Sequence, residues 1–339
     1  MILHIHILLL LILGSVMRAT VYLNPLPTNG SRLAPHIHYG TFRSTPNRII
    51  ATYVGTPPDS ATQGAIQFAL SLLDTSFQLT HDVNVAIRWV DLSSIPGLLA
   101  DAGPTQMCQH PDSTNFRYVL IPTSLYAQLI GSPCPGATSS THISVNLNSN
   151  PPTPWYTGTD GNPPPSTIDL VTVMMHEAVH GLGFLTGVVN GNANYLYAPY
   201  GVFYDWFVFG GRPGWPTHYG LPVQNPCITS VGTLTNGLLY FRGNVGNPSV
   251  ANFQVYAPST FQIGSSISHV NPSSDVGNRL MFPSLPAGEA QHDIGGNVWA
   301  VMANFGYPMT PVAQYATSTT GTFTCLPTCS GIRLDSFFI

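Results

Sequence analysis

The sequence predicts an α+β fold. A sheet is backed by one helix and carries a second, site-bearing helix, and a C-terminal portion with a long, mostly irregular or β insertion follows. Three observations predict this. Ile66, Leu70 and Leu73 recur at helical spacing and mark Ala61–Phe77 as a helix. Val83–Val90, Arg117–Ile121 and Ile143–Leu147 then read as strands. The stretch 185–268 is rich in Gly, Asn and aromatics, with short strand-like runs at Leu238–Phe241 and Phe253–Tyr256.

The remaining elements follow in order. Residues 20–50 are Pro-rich and read as an irregular N-terminal arm or short propeptide. No Cys lies there, so a propeptide that blocks a metal with a thiolate is excluded. Pro151–Pro165 is a loop, and Ser166 is the expected N-cap of the next helix, with Asp169 three residues on. The apolar run Leu170–Met175 continues that helix, and Gly181 and Gly183 stop it. Gly295–Phe305 is a last helix, and the tail from about Thr310 carries little information.

At 339 residues the chain can bury a large core, and an apolar content of 44% argues against global disorder. Charged residues are only 7%, so the surface must rely on Ser, Thr, Asn, Gln and Gly. Every basic residue is Arg, and the only Glu residues are Glu177 and Glu289. A net charge of -4 without a basic run argues against nucleic acid or an anionic membrane surface as partner.

The apolar core Ile7–Leu13 is too short to span a bilayer and fits a secretory signal over residues 1–19, cleaved near Ala19. Its n-region carries His4 and His6 in place of Lys or Arg. No hydrophobic tail follows, so no stable membrane anchor is expected. In an oxidising compartment most of the five Cys should pair. Cys108–Cys134 and Cys325–Cys329 are the expected disulfides, with Cys227 left over. Asn29 heads a glycosylation sequon.

His176, Glu177 and His180 form an H-E-x-x-H in the last turns of the second helix. Residues four apart share a helix face, so both imidazoles can meet one ion while Glu177 stands beside it. Zn²⁺ held by three protein ligands keeps a position open for water and substrate. Glu177 is then placed to act as general base in peptide hydrolysis. A longer form of the motif puts a third His six residues past the second, where this chain has Thr186. The third ligand must come from elsewhere. Downstream lie His218, His269 and His292, with Glu289 beside the last. His218 stands in a Pro-rich loop with no accompanying feature. Glu289 would make a chemically sound His₂Glu site, but it follows Pro286, Ala287 and Gly288 in a loop. His269 stands in GSSISHVNP, with Met281 following in LMFP.

HEAVHGLGF and GSSISHVNPSSDVGNRLMFP together resemble the zinc-helix end and the third-ligand and Met-turn segments of leishmanolysin-like metallopeptidases, a branch of the metzincins. The resemblance is clearest over about 140–310, and in that family too a long insertion separates the two segments. It implies a metzincin-like zincin with a twisted mixed sheet. It also implies His176, His180 and His269 as zinc ligands, Glu177 as base and Met281 as the Met-turn residue. Ile143–Leu147 would be an edge strand lining the cleft, and Phe282 and Pro283 would border a substrate pocket. Val270 departs from the pattern, since the family often has an aromatic after the third His.

The expected organisation is a signal over 1–19, an arm over 20–50, an N-terminal catalytic subdomain over 51–184, a C-terminal subdomain over 185–310 and a tail over 311–339. The expected protein is a secreted, monomeric zinc endopeptidase acting on a peptide or protein substrate. The rival readings are a catalytically inactive secreted binding protein on the same fold and a zinc-stabilised structural module. Asp205, in YDWFVFGG, reads as a structural acid in a turn.

Overall fold

The computed structural model describes residues 18–24, 47–116, 118–189, 200–210, 234–235, 237–243, 252–274 and 279–310. The first seventeen residues, the sequon at Asn29, His218, Cys227, Cys325 and Cys329 therefore lie outside the described residues.

The chain opens with β1 (Ala19–Asn24), and β2 (Ile49–Tyr53) is the next described strand. Asp59 caps α1 (Ser60–Thr75) by accepting the Thr62 N–H at 2.8 Å. This helix buries Ile66, Leu70 and Leu73, the predicted stripe, and returns the chain to β3 (Val83–Val90), parallel to β2. β4 (Leu98–Pro104), β5 (Met107–Gln109), β6 (Val119–Pro122), α2 (Thr123–Ile130) and β7 (Ile143–Asn148) follow. Next come β8 (Trp155–Tyr156), β9 (Ile168–Asp169) and α3 (Leu170–Gly181). The C-terminal portion contributes β10 (Gly201–Val202), a 3-10 turn at Phe203–Phe207 and β11 (Val208–Gly210). It continues with β12 (Leu239–Arg242), β13 (Asn252–Gln254), β14 (Ser284–Pro286) and α4 (Gly295–Phe305).

The main sheet is mixed, with strand order β14-β1-β4-β7-β3-β2. β2, β3 and β7 are parallel, β4 runs antiparallel to β7 and β1, and β1 and β14 are parallel. The architecture is thus α+β around a mixed sheet. Three expectations change. Ile143–Leu147 is no edge strand, because β4 and β3 pair with it on either side. The predicted irregular arm contains β1, which pairs on both sides, and runs into β2 at its end. Asp169, not Ser166, caps the site-bearing helix, since its Oδ2 accepts the Thr172 N–H at 2.8 Å. The predicted Cys108–Cys134 disulfide is formed.

Both long helices pack on the sheet, and α3 touches α1, β4, β1 and β7. Ile143, Val145 and Leu147 alternate along β7, and all are fully buried. Ile143 meets Gly181, where a Cβ would collide with its side chain. Gly181 therefore permits the close approach of helix to sheet, while Gly183 (φ +114°) makes the turn that ends the helix. Of the two glycines predicted to stop the helix, only Gly183 does so. Among the described residues no helix is long and apolar enough to cross a membrane.

Gly181→Ala should overpack the contact with Ile143 and lower stability by about 1–3 kcal/mol. A thermal melt checks this. An unchanged midpoint would show that the helix can lift off the strand without cost.

Candidate metal centre

Every residue of α3 is buried, which is unusual for a helix carrying two His and a Glu. Burial fixes the ring positions, and the Asp169 cap fixes where the helix starts. His176 and His180 stand one turn apart on the same face.

The third ring comes from the loop ahead of the Met-containing turn. Thr186, where a longer motif would carry its ligand, instead donates its backbone N–H to Ser268 Oγ at 3.1 Å. That bond moors the residue next to His269 against the end of the α3 segment. Ile267 holds a left-handed conformation (φ 70°), costly for a β-branched residue. It is held there from both ends. Its N–H donates to the Tyr256 carbonyl at 2.8 Å, and its own carbonyl accepts the Tyr204 hydroxyl at 2.9 Å. Val270 donates its N–H to the Met281 carbonyl at 2.8 Å, joining this loop to the following turn. The turn closes with Phe282 N–H donating to the Arg279 carbonyl at 3.0 Å, and Met281 is buried within it.

The outcome is a cluster of three buried imidazoles, His176, His180 and His269. Each ring is oriented by a backbone carbonyl opposite its Nδ1. Leu280 serves His176 at 2.5 Å, Phe184 serves His180 at 2.7 Å and Ser265 serves His269 at 2.8 Å. A carbonyl only accepts, so the proton of each neutral ring sits on Nδ1 and the Nε2 lone pair is free. The three Nε2 atoms face one another at 2.9, 3.2 and 3.2 Å. None has a proton to donate, so these approaches are not hydrogen bonds. Three ligands at about 2.0–2.1 Å from a tetrahedral ion stand about 3.3 Å apart, close to the spacing here. The donor set fits a divalent metal such as zinc. Burial pushes the His176 pKa down to about 4, against the pull of the Leu280 carbonyl. His180 and His269 are also driven well down, first by burial and then by neighbouring imidazoles. Neutral rings are the form that binds metal.

Glu177 is fully buried, and neither carboxylate oxygen makes a well-formed hydrogen bond, although the Val21 N–H bears on it. Burial pushes its pKa well up, Asp101 adds to this, and the Arg18 guanidinium and the Val21 backbone N–H pull the other way. Arg18 and Val21 belong to the segment that forms β1, which packs against α3.

Glu289 and His292, the other candidate ligands among the described residues, are engaged elsewhere. Glu289 pairs with Arg279, Oε2 to Nη1 at 3.2 Å. His292 Nε2 meets Asp169 Oδ2 at 2.8 Å, at the opposite end of α3 from the imidazole cluster. Phe282 and Pro283 follow Met281 directly, and the Pro283 carbonyl accepts the Tyr22 N–H at 3.2 Å. Asp205 is buried and accepts the Gly187 N–H at 2.8 Å, tying the 3-10 turn to the segment leaving α3. Burial raises its pKa to about 7, against the Thr186 hydroxyl and the Gly187 N–H. Sequence reasoning missed the three orienting carbonyls, because backbone acceptors have no sequence signature. It also missed Arg18 and Val21, which stand over Glu177 and carry no motif.

No protein-family model, no curated protein and no solved structure matches the chain. The reading of this site therefore stands on its geometry.

The geometry predicts one zinc per chain after dialysis, measured by elemental analysis. His269→Ala should weaken retention beyond the roughly 10–100-fold that loss of an outer-sphere partner costs. His292→Ala should destabilise α3 but keep the metal. The reverse ranking would overturn the ligand assignment.

Proposed function

We propose that the chain is a secreted zinc-dependent endopeptidase of the metzincin type, with His176, His180 and His269 as ligands and Glu177 as general base. The observation that carries this reading is Glu177 itself. A structural zinc site closes its shell with a fourth protein ligand, and the cluster has three His among the described residues. A structural site also has no use for a fully buried, non-ligating carboxylate adjacent in sequence to a ligand. A chain with only two Glu places one of them here.

A zinc ion, when bound, polarises the scissile carbonyl and acidifies water. The residues of the chain supply the rest. The three carbonyl-anchored rings hold the ion rigidly. Glu177 takes a proton from the attacking water as the new C–O bond forms. It returns the proton to the amine nitrogen as the C–N bond breaks. Met281 lies buried in the turn whose Leu280 carbonyl orients His176, which supports its role as a Met-turn residue. The Cys108–Cys134 disulfide and the apolar leader support secretion.

Hydrolysis of casein, with and without a zinc chelator, tests the reading. Wild type should cleave in a chelator-sensitive manner. Glu177→Gln should lose about 10²–10⁴-fold of the rate while holding one zinc. A zinc-loaded chain that leaves casein intact would instead be an inactive binding protein.

A further inference from the structure

Asp205 is a buried acid that the proposed reaction does not use. Its residue is 1% exposed. β6 (VLIP) and β10 (Gly201–Val202), which touch its 3-10 turn, carry no titratable side chain. Burial lifts its pKa to about 7, while the Thr186 hydroxyl and the Gly187 N–H pull the other way. On its own turn Tyr204 feels its charge. A carboxyl in so apolar a place is costly, and a neutral residue would close the turn at lower cost. Groups held in such surroundings concentrate at functional sites.

The bonds of Asp205 lead to the third imidazole. Its Oδ2 accepts the Gly187 N–H at 2.8 Å. Gly187 fits closely, since an added Cβ would stand 3.3 Å from the Val202 side chain and 3.5 Å from Oδ2 itself. Thr186, the preceding residue, is held on several sides. Its hydroxyl bears on Asp205 and accepts the Val188 N–H at 3.1 Å. Its own N–H donates to Ser268 Oγ at 3.1 Å, and Ser268 precedes His269 in the chain. Thr186 stands where the longer motif would carry a ligand. It serves instead as the post on which a ligand from elsewhere is set.

The ring needs such a post. Two residues before it, Ile267 is the one non-glycine residue with positive φ among the described residues. Strain of this kind relaxes unless the surroundings oppose it. The same 3-10 turn opposes it a second time, because the Tyr204 hydroxyl donates to the Ile267 carbonyl at 2.9 Å. The Tyr204 ring also packs on Phe184, with centroids 5.0 Å apart, and the Phe184 carbonyl orients His180. One short turn of the insertion therefore bears on the supports of two rings.

We propose that Asp205 is a positioning residue of the metal centre: through Gly187 and Thr186 it sets Ser268, and with it the reach of His269 to the ion. This rests on the three imidazoles holding a metal, as read above, and not on hydrolysis. α3 carries His176 and His180, so loss of Asp205 leaves those two rings on their helix face and releases the third. The chain then holds its ion with fewer ligands although every ligand residue is present.

The test measures the zinc affinity of the full chain by competition with a chromophoric chelator. The visible absorption of the cobalt-loaded chain reports the geometry around the ion. Asp205→Ala should bind zinc about tenfold more weakly, and its cobalt spectrum should move toward that of His269→Ala. Asp205→Asn keeps an oxygen for the Gly187 N–H and should stay within about threefold of wild type. Ser268→Ala should reproduce the loss of Asp205→Ala. The double variant should be no more than about threefold weaker than either single one, because both cut the same line of contacts. Wild-type affinity and spectrum in Asp205→Ala, or losses that multiply in the double variant, would overturn the proposal. So would a loss confined to the melting temperature of the metal-free chain, which would make Asp205 a purely structural acid. Ser268→Ala, which removes a single hydroxyl, guards against misfolding of Asp205→Ala, and unchanged zinc affinity there would likewise overturn the proposal. A wild type that binds neither ion would instead sink the metal-centre reading itself, and this proposal with it.

Discussion

Three lone pairs pointed at one another are the constraint on which this structure depends. His176, His180 and His269 are locked as Nδ1–H tautomers by the Leu280, Phe184 and Ser265 carbonyls. Their Nε2 atoms are then left to converge with no proton among them. In a fully buried place that arrangement is repulsive unless a cation sits in the middle. The orienting bonds do not relieve the repulsion; they enforce it. The cluster is one that could hold a metal ion.

The rest of the fold can be understood as what keeps the rings aimed. The missing side chain at Gly181 lets α3 settle against Ile143 of β7. At the other end, Asp169 caps the helix and is held in turn by His292. The third ring is harder to place, since it arrives from a loop beyond a long insertion. The molecule places it through a strained Ile267, a buried Tyr204 hydroxyl and the Thr186–Ser268 bond. Local strain of this kind persists only where the surroundings over-determine it. The described part of the insertion thus contributes Tyr204 and Tyr256 to the support of the site.

Features with a local physical signature were legible in the sequence. The helical stripe of α1, the span of α4 and the His176–Glu177–His180 helix all follow from spacing. His269 stands out from His292 and Glu289 by its company with Met281, and the structure brings it beside His176 and His180 while the other two meet different partners. Each of the two already has a partner, and His292 stands at the wrong end of the helix. Features set by distant pairing were not legible. β4 (LLADAGP) has every residue buried, so no alternation marks it. Ile143–Leu147 was misplaced at an edge because strand order is not encoded in the strand itself. β1 was hidden in a Pro-rich arm, since its pairing depends on β14, far along the chain. Asp169 displaced Ser166 as cap because its carboxylate also answers Thr172 Oγ1 and His292.

The central claim concerns one ion and its first shell, and X-ray absorption at the zinc edge of the metal-loaded chain tests it most directly. The account predicts three imidazole nitrogens and one oxygen at about 2.0–2.1 Å, with one imidazole lost in His269→Ala. A sulfur ligand, a fourth protein nitrogen, or a spectrum unchanged by His269→Ala would contradict it.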